Sequence, residues 1–258
     1  MKTALLMGLI LGTLFPLMGI FVVTRGMAFF SEFIAHSAIL GGALALLSGV
    51  EPTLFLLPYS VFLGLLASSV WGFMPLSRDT VLGVFYGGTV AGGLILIAWK
   101  GLGQTSLMQF LLGDILLIRP ADIWLSAGLL TAFIVLLRAG LRRLIKVSFL
   151  PEMAWAEGIN VRLYDYALIG ITALGVALSI KMVGVLLANA MVVIPAASAK
   201  ILSRNFRQFM LMAPLIGVLS FTGGIALSFY LNIPSGPTVA MVAFAFFLLS
   251  LMLKAIHG

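Results

Sequence analysis

The feature that most constrains this chain is a recurrence of apolar runs about twenty residues long, separated by short breaks. A hydrocarbon core of about 30 Å is crossed by an α-helix of roughly 20 residues. Runs of that kind fall near residues 3–24, 32–50, 53–73, 80–99, 122–141, 164–181, 183–199, 208–230 and 237–256. Lipid offers a backbone amide no hydrogen-bond partner, so each run must satisfy its own amides as a helix. The expected fold is an all-α polytopic membrane protein with eight or nine transmembrane helices, forming a single transmembrane domain over residues 1–258. The first run follows Lys2 but exceeds the roughly 7–15 residues of a signal-peptide core. With no A-x-A site after it, it is expected to stay as a helix.

Charge supports this reading and excludes others. Only 9% of residues are charged and 62% are hydrophobic, whereas a soluble domain carries about 25% charged residues. A soluble enzyme, a disordered tail and a nucleic-acid-binding domain are excluded, although the net charge is +7. The excess basic residues instead report orientation, because cytoplasmic loops are enriched in Lys and Arg. With the N-terminus outside and nine alternating spans, 11 of the 15 basic residues fall inside and 4 outside. The opposite orientation inverts that bias.

The run over 166–199 is interrupted only by Lys181. As one helix it would be about 51 Å long at 1.5 Å per residue, too long for a single crossing. A break at Lys181 to Gly184 is expected, giving two short crossings or one crossing and a re-entrant piece. Two connections are long: an inner loop over 142–163 with the densest charge in the chain, and an outer loop over 100–121. The outer loop is expected to hold a short surface helix near Ser106 to Leu112. Gly pairs at 41–42, 87–88, 92–93 and 223–224 are expected to bring helices close. Pro16, Pro58, Pro195 and Pro214 fall inside spans, where they bend or break helices.

Chemistry has few places to reside. There is no Cys, and the two His are His36 and His257, so thiolate sites and H-E-x-x-H proteases are excluded. Met182, Met191, Met210 and Met212 read as apolar filler, which makes copper a weak reading. An ionisable group at the centre of a span costs about 2.5–3.5 kcal/mol to insert, and Glu32 and His36 lie four apart on one face of the second span. Such a pair can bind a borderline-soft divalent metal such as Zn(II), Mn(II) or Fe(II), with other spans or water completing the shell. Equally, the two can simply hydrogen-bond to each other. In the inner loop, Pro151, Glu152, Met153, Trp155, Glu157 and Gly158 outline a short helix, with Pro at its start, an acid in its first turn and Gly at its stop. Its Met and Trp need a surface to cover them, either a soluble partner or the membrane interface. No G-x-x-x-x-G-K-[ST] occurs, so a nucleotide-driven process needs a partner chain.

These segments resemble, over nearly the whole length, the permease subunits of bacterial ABC importers for zinc, manganese and iron, zinc permeases above all. The resemblance rests on Gly19 to Met27, Phe30 and Ala35 to Gly41, then on Asp79-Thr-Val-Leu-Gly83, Leu112-Gly-Asp-Ile-Leu116 and the Pro151 to Gly158 loop. Lys181 to Leu187, Ile194 to Lys200, Phe221-Thr-Gly-Gly-Ile and Pro234-Ser-Gly-Pro-Thr238 complete it. This chain has Glu32 where relatives commonly carry Asp, and Phe85-Tyr-Gly-Gly88 where some zinc permeases carry a His.

The resemblance implies a type II importer fold and a homodimer lining one path in the bacterial cytoplasmic (inner) membrane. It implies two ATPase subunits that bind ATP, docked on Pro151 to Gly158 in the inner loop, and an extracytoplasmic metal-binding protein. No cofactor is expected on this chain, and lipid surrounds it. Glu32 and His36 match the metal path, while Asp114 and Asn189 are assigned to that path or to binding-protein contact. The expected cargo is zinc first, with manganese and iron as the other candidates. A proton-coupled carrier acting through Glu32 and His36 is the alternative, although it gives the Pro151 to Gly158 helix no task. An intramembrane enzyme lacks a nucleophile and base pair.

Overall fold

The computed structural model describes residues 2–71, 75–101 and 120–257. Among these the chain forms α1 (Lys2–Thr24), α2 (Phe30–Ser48), α3 (Pro52–Trp71), α4 (Arg78–Lys100), α5 (Pro120–Phe149), α6 (Pro151–Ala156), α7 (Val161–Leu202), α8 (Phe206–Leu231) and α9 (Ser235–His257). Local chemistry sets several ends. Ser77, Asn160 and Asn205 cap α4, α7 and α8 by accepting the backbone amides of Thr80, Leu163 and Gln208, which satisfies donors that have no partner within the helix. Gly49 and Gly101 close α2 and α4 in the left-handed region, where a residue without Cβ is unstrained.

Among the described residues, eight helical segments are long and apolar enough to cross a membrane, and Leu187–Leu202 forms a shorter apolar piece. The expected break in α7 is present, and its physical cause is Gly184, at φ 79° and ψ 166°. The chain folds back there. Asp165 pairs with Arg25, and Ser203 shares a cleft with the adjacent Thr24. On one straight helix Asp165 and Ser203 would lie about 57 Å apart. Deeper in the bundle, a Cβ at Gly175 would meet Met18, while one at Gly19 would meet Val192. Both limbs of α7 therefore flank the same level of α1, with Gly184 at the far tip. Among the described residues the candidate spans are therefore eight long helical segments and one shorter returning limb, the same parity as nine alternating passes.

One end of the bundle collects the basic residues. Arg25 lies between α1 and α2, Arg78 donates to the Arg25 carbonyl at 3.5 Å, and Lys200 and Arg204 line the cleft beside Thr24. The charge bias read along the sequence thus corresponds to one face of the folded chain.

The core centres on α1, packed between α8, both limbs of α7 and α5. Close approach depends on glycine. A Cβ on Gly217 would lie 2.3 Å from the Gly12 carbonyl oxygen and from Pro16, and one on Gly224 would lie 2.4 Å from Val239 Cα. Gly93 approaches the Leu40 backbone in the same way, joining α4 to α2, and Gly41 faces Tyr59 and Leu56. The pair at 87–88 departs from the expectation: among the described residues neither glycine has a neighbouring atom within 4 Å of a Cβ position. That surface of α4 is open in the single chain, so its small residues bring no helices together there.

Gly19 shows the tightest contact, with a Cβ position 1.8 Å from the Val192 carbonyl oxygen. Gly19→Leu is expected to cost more than about 3 kcal/mol through forced backbone displacement and to abolish a monodisperse peak in detergent chromatography. Gly87→Ala should leave that peak intact and change stability by no more than about 1 kcal/mol.

Candidate functional site

Glu32 occupies the first turn of α2 and His36 follows one turn later, so both project from one face. His36 Nδ1 lies 3.1 Å from Glu32 Oε1 and 3.2 Å from the Glu32 backbone carbonyl. The second carboxylate oxygen, Oε2, accepts from Asn189 Nδ2 at 2.6 Å, and Asn189 Oδ1 accepts from Ser31 Oγ at 2.6 Å. Both oxygens of Glu32 are thereby oriented. Nδ1 is the ring nitrogen that faces these two acceptor oxygens, and Nε2 lies on the opposite edge of the ring.

Asn189 reaches Glu32 because α7 folds back. Its place on the returning limb, five residues past Gly184, sets it beside the first turn of α2. The third wall is α4, where the Tyr86 ring stands edge-on to His36 with 5.3 Å between centroids, and Phe29 meets Tyr86 at 5.5 Å. Tyr86 lies in the Phe85 to Gly88 segment, which the sequence marks only by its Gly pair and by the lack of a His found in some zinc permeases. The signal available there was an aromatic next to open glycines on a span that packs against α2.

The pair is only partly covered. The side chains of Glu32 and His36 remain 26% and 29% exposed in the single chain. No group of three or more His, Cys, Asp or Glu residues with metal-site geometry occurs among the described residues. Asp114 and the expected helix near Ser106 to Leu112 lie outside the described residues.

The second assembly is the α5–α6–α7 corner. Pro151 opens α6 at its first turn, and Gly158 ends the segment at φ 76°. The helix proper is six residues, with Glu157 as its C-cap and Gly158 at the expected stop. Ala154 is fully buried against the bundle and anchors it, while Met153 and Trp155 are 60% and 77% exposed. Pro151, Glu152, Trp155 and Gly158 border an open groove of about 950 Å³ that runs on to Arg162. Glu157 has an internal role: its carboxylate pairs with Lys146 of α5 at 2.5 Å.

Together these features define a class: a polytopic all-α membrane protein with an oriented Glu–His pair on a span and an amphipathic helix outside the spans. The sequence profile of the ABC 3 transport family matches residues 1–254, and the chain belongs to that family. It is 32% identical to the high-affinity zinc uptake system membrane protein ZnuB of Haemophilus influenzae, over 96% of this chain and 95% of that one. It is 29% identical to the manganese import system permease protein ScaB of Streptococcus parasanguinis, over 97% of this chain and 89% of that one. Among solved structures it resembles PsaBC from Streptococcus pneumoniae in complex with Fab, with TM-score 0.82 and 25% identity over 96% of this chain and 90% of that chain. An inward-facing metal-chelate type ABC transporter shares the fold, with TM-score 0.73 and 17% identity over 97% and 86% of the two chains.

Proposed function

We propose that this chain is the membrane permease subunit of an ATP-driven importer carrying a divalent transition metal into the cytoplasm, with zinc as the first candidate and manganese next. The observation that carries this reading is the Glu32–His36 pair, held by Asn189 on a span and left partly uncovered. A carboxylate and an imidazole facing lipid would be costly, so the uncovered side belongs against protein or an aqueous path. A second copy of the chain across that side supplies both. Two copies of the pair would then face one another, each offering an imidazole nitrogen, a ligand type that suits Zn(II). His36 Nε2 is the ligand atom, and Glu32 contributes charge and orientation, as carboxylates behind metal-bound imidazoles do. The open glycines of α4 beside Tyr86 support an approach from this side.

The exposed Met153 and Trp155 support α6 as the docking element for an ATPase subunit on the cytoplasmic face, and an extracytoplasmic binding protein delivers the metal at the opposite end. Zinc, manganese and iron uptake measured in a bacterial strain lacking its own importers, with the chain expressed beside its ATPase and binding protein, tests the proposal. ATP-dependent accumulation is expected, largest for zinc. Equal accumulation without the ATPase would overturn it in favour of a carrier.

A further inference from the structure

Arg25 has no part in the functions assigned so far. It lies in the link between α1 and α2, and its side chain is 1% exposed. Its Nε donates to Ser148 Oγ at 3.0 Å and its Nη1 pairs with Asp165 Oδ1, while Nη2 is buried with no hydrogen-bond partner among the described residues. Burial lowers the guanidinium pKa, the Asp165 carboxylate opposes that lowering, and nearby Arg78 adds to it. A guanidinium stays charged nonetheless. Keeping such a charge buried is expensive where an apolar side chain would pack as well, so the planar fork needs a reason.

Its partners supply one. Ser148 is in the last turn of α5 and Asp165 in the first turns of α7, the two helices that flank α6. That flank is strapped together: Lys146 of α5 pairs with Glu157 just after α6, and Arg143 of α5 donates to the Tyr164 hydroxyl of α7 at 3.0 Å. The α5 end, α6 and the α7 start therefore form one block, and Arg25 grips it on both sides. In the other direction, Arg25 belongs to the turn that leads directly into α2. That turn is fixed to α4, since Phe29 N donates to Asp79 Oδ1 at 3.1 Å and Arg78 donates to the Arg25 carbonyl. Glu32 follows within the first turn of α2.

We propose that Arg25 is a positioning residue, a strut that transmits displacement of the α6 block into the α1–α2 turn and so to the Glu32–His36 pair. It acts through its neighbours and touches no metal. The proposal rests on α6 being the ATPase dock.

The test uses the permease–ATPase complex in proteoliposomes, with zinc-loaded binding protein, and reads ATPase co-purification, ATP hydrolysis and zinc taken up per ATP. Arg25→Gln is expected to retain the ATPase and hydrolyse ATP, while zinc uptake per ATP falls roughly tenfold or more. Unchanged uptake per ATP would overturn the strut. Should Arg25→Gln fail to assemble, Arg25→Met with Asp165→Leu removes both buried charges together, a change that commonly preserves folding. Wild-type uptake per ATP in that double variant would also overturn it, whereas an assembled but uncoupled complex supports it. Failure of the docking reading would show elsewhere, as an ATPase that still co-purifies after Met153→Ala and Trp155→Ala.

Discussion

His36→Ala should reduce zinc uptake by about 100-fold or more, while the variant still assembles with its ATPase and runs as the wild type does in detergent chromatography. The magnitude follows from the geometry. In the proposed site His36 supplies the ligand nitrogen, and its ring is set by Glu32 at 3.1 Å and by the edge of Tyr86. Removing the ring deletes that proposed ligand. Glu32→Gln should be nearly as severe, because the amide keeps an oxygen for Asn189 but loses the charge that a divalent ion needs. Asn189→Ala leaves the Glu32–His36 pair in place and removes only the 2.6 Å bond that orients the carboxylate, so a loss of about 10-fold is expected, the lower end for outer-shell partners. Radiolabelled zinc uptake into cells expressing each variant provides the ranking. Full uptake by His36→Ala would remove the pair from the path, and equal losses in all three would reduce it to a packing element.

Most of the architecture was legible because membrane helices announce themselves by length and apolarity. The break at Gly184 was legible for the same reason, since a run of that length cannot cross a hydrocarbon core straight. The pair itself was visible as two ionisable residues four apart on a span. Its third member, Asn189, entered through resemblance alone, for its contact depends on the fold-back of α7, and no local pattern encodes a partner 157 positions away. Arg25 was counted as one topology-marking charge among eleven. Its grip on Ser148 and Asp165 spans 123 and 140 positions, and nothing in the flanking Thr24 or Gly26 distinguishes it from a solvated loop arginine. The glycine pair at 87–88 failed differently, while Gly41, Gly93 and Gly224 do bring helices close. A Gly-Gly dipeptide says that backbone could approach closely, but not that a helix is there to do so, and the open surface at Gly87 and Gly88 has no partner within this chain.

Trp155→Ala combined with Met153→Ala should weaken ATPase binding by about 30-fold or more, equivalent to roughly 2 kcal/mol for loss of an exposed aromatic anchor. The reason lies in how α6 is mounted. Ala154 is buried and the Leu150 to Glu157 backbone closes on itself through bonds such as Ala154 N to the Leu150 carbonyl at 3.0 Å, so the helix is held rigidly and its apolar face cannot turn inward. At 77% and 60% exposure, Trp155 and Met153 make little contact within the chain, and truncating them should leave the permease fold unaltered. Glu157→Gln provides the contrast. It breaks the exposed pair with Lys146, worth at most about 1 kcal/mol, and should change ATPase affinity less than about fivefold. Titrating detergent-solubilised permease with its purified ATPase measures both, and zinc binding to the same samples should stay constant. Were the ranking reversed, the charged end of the segment rather than its apolar face would carry the contact, and the open groove beside Trp155 would have to serve the membrane interface instead.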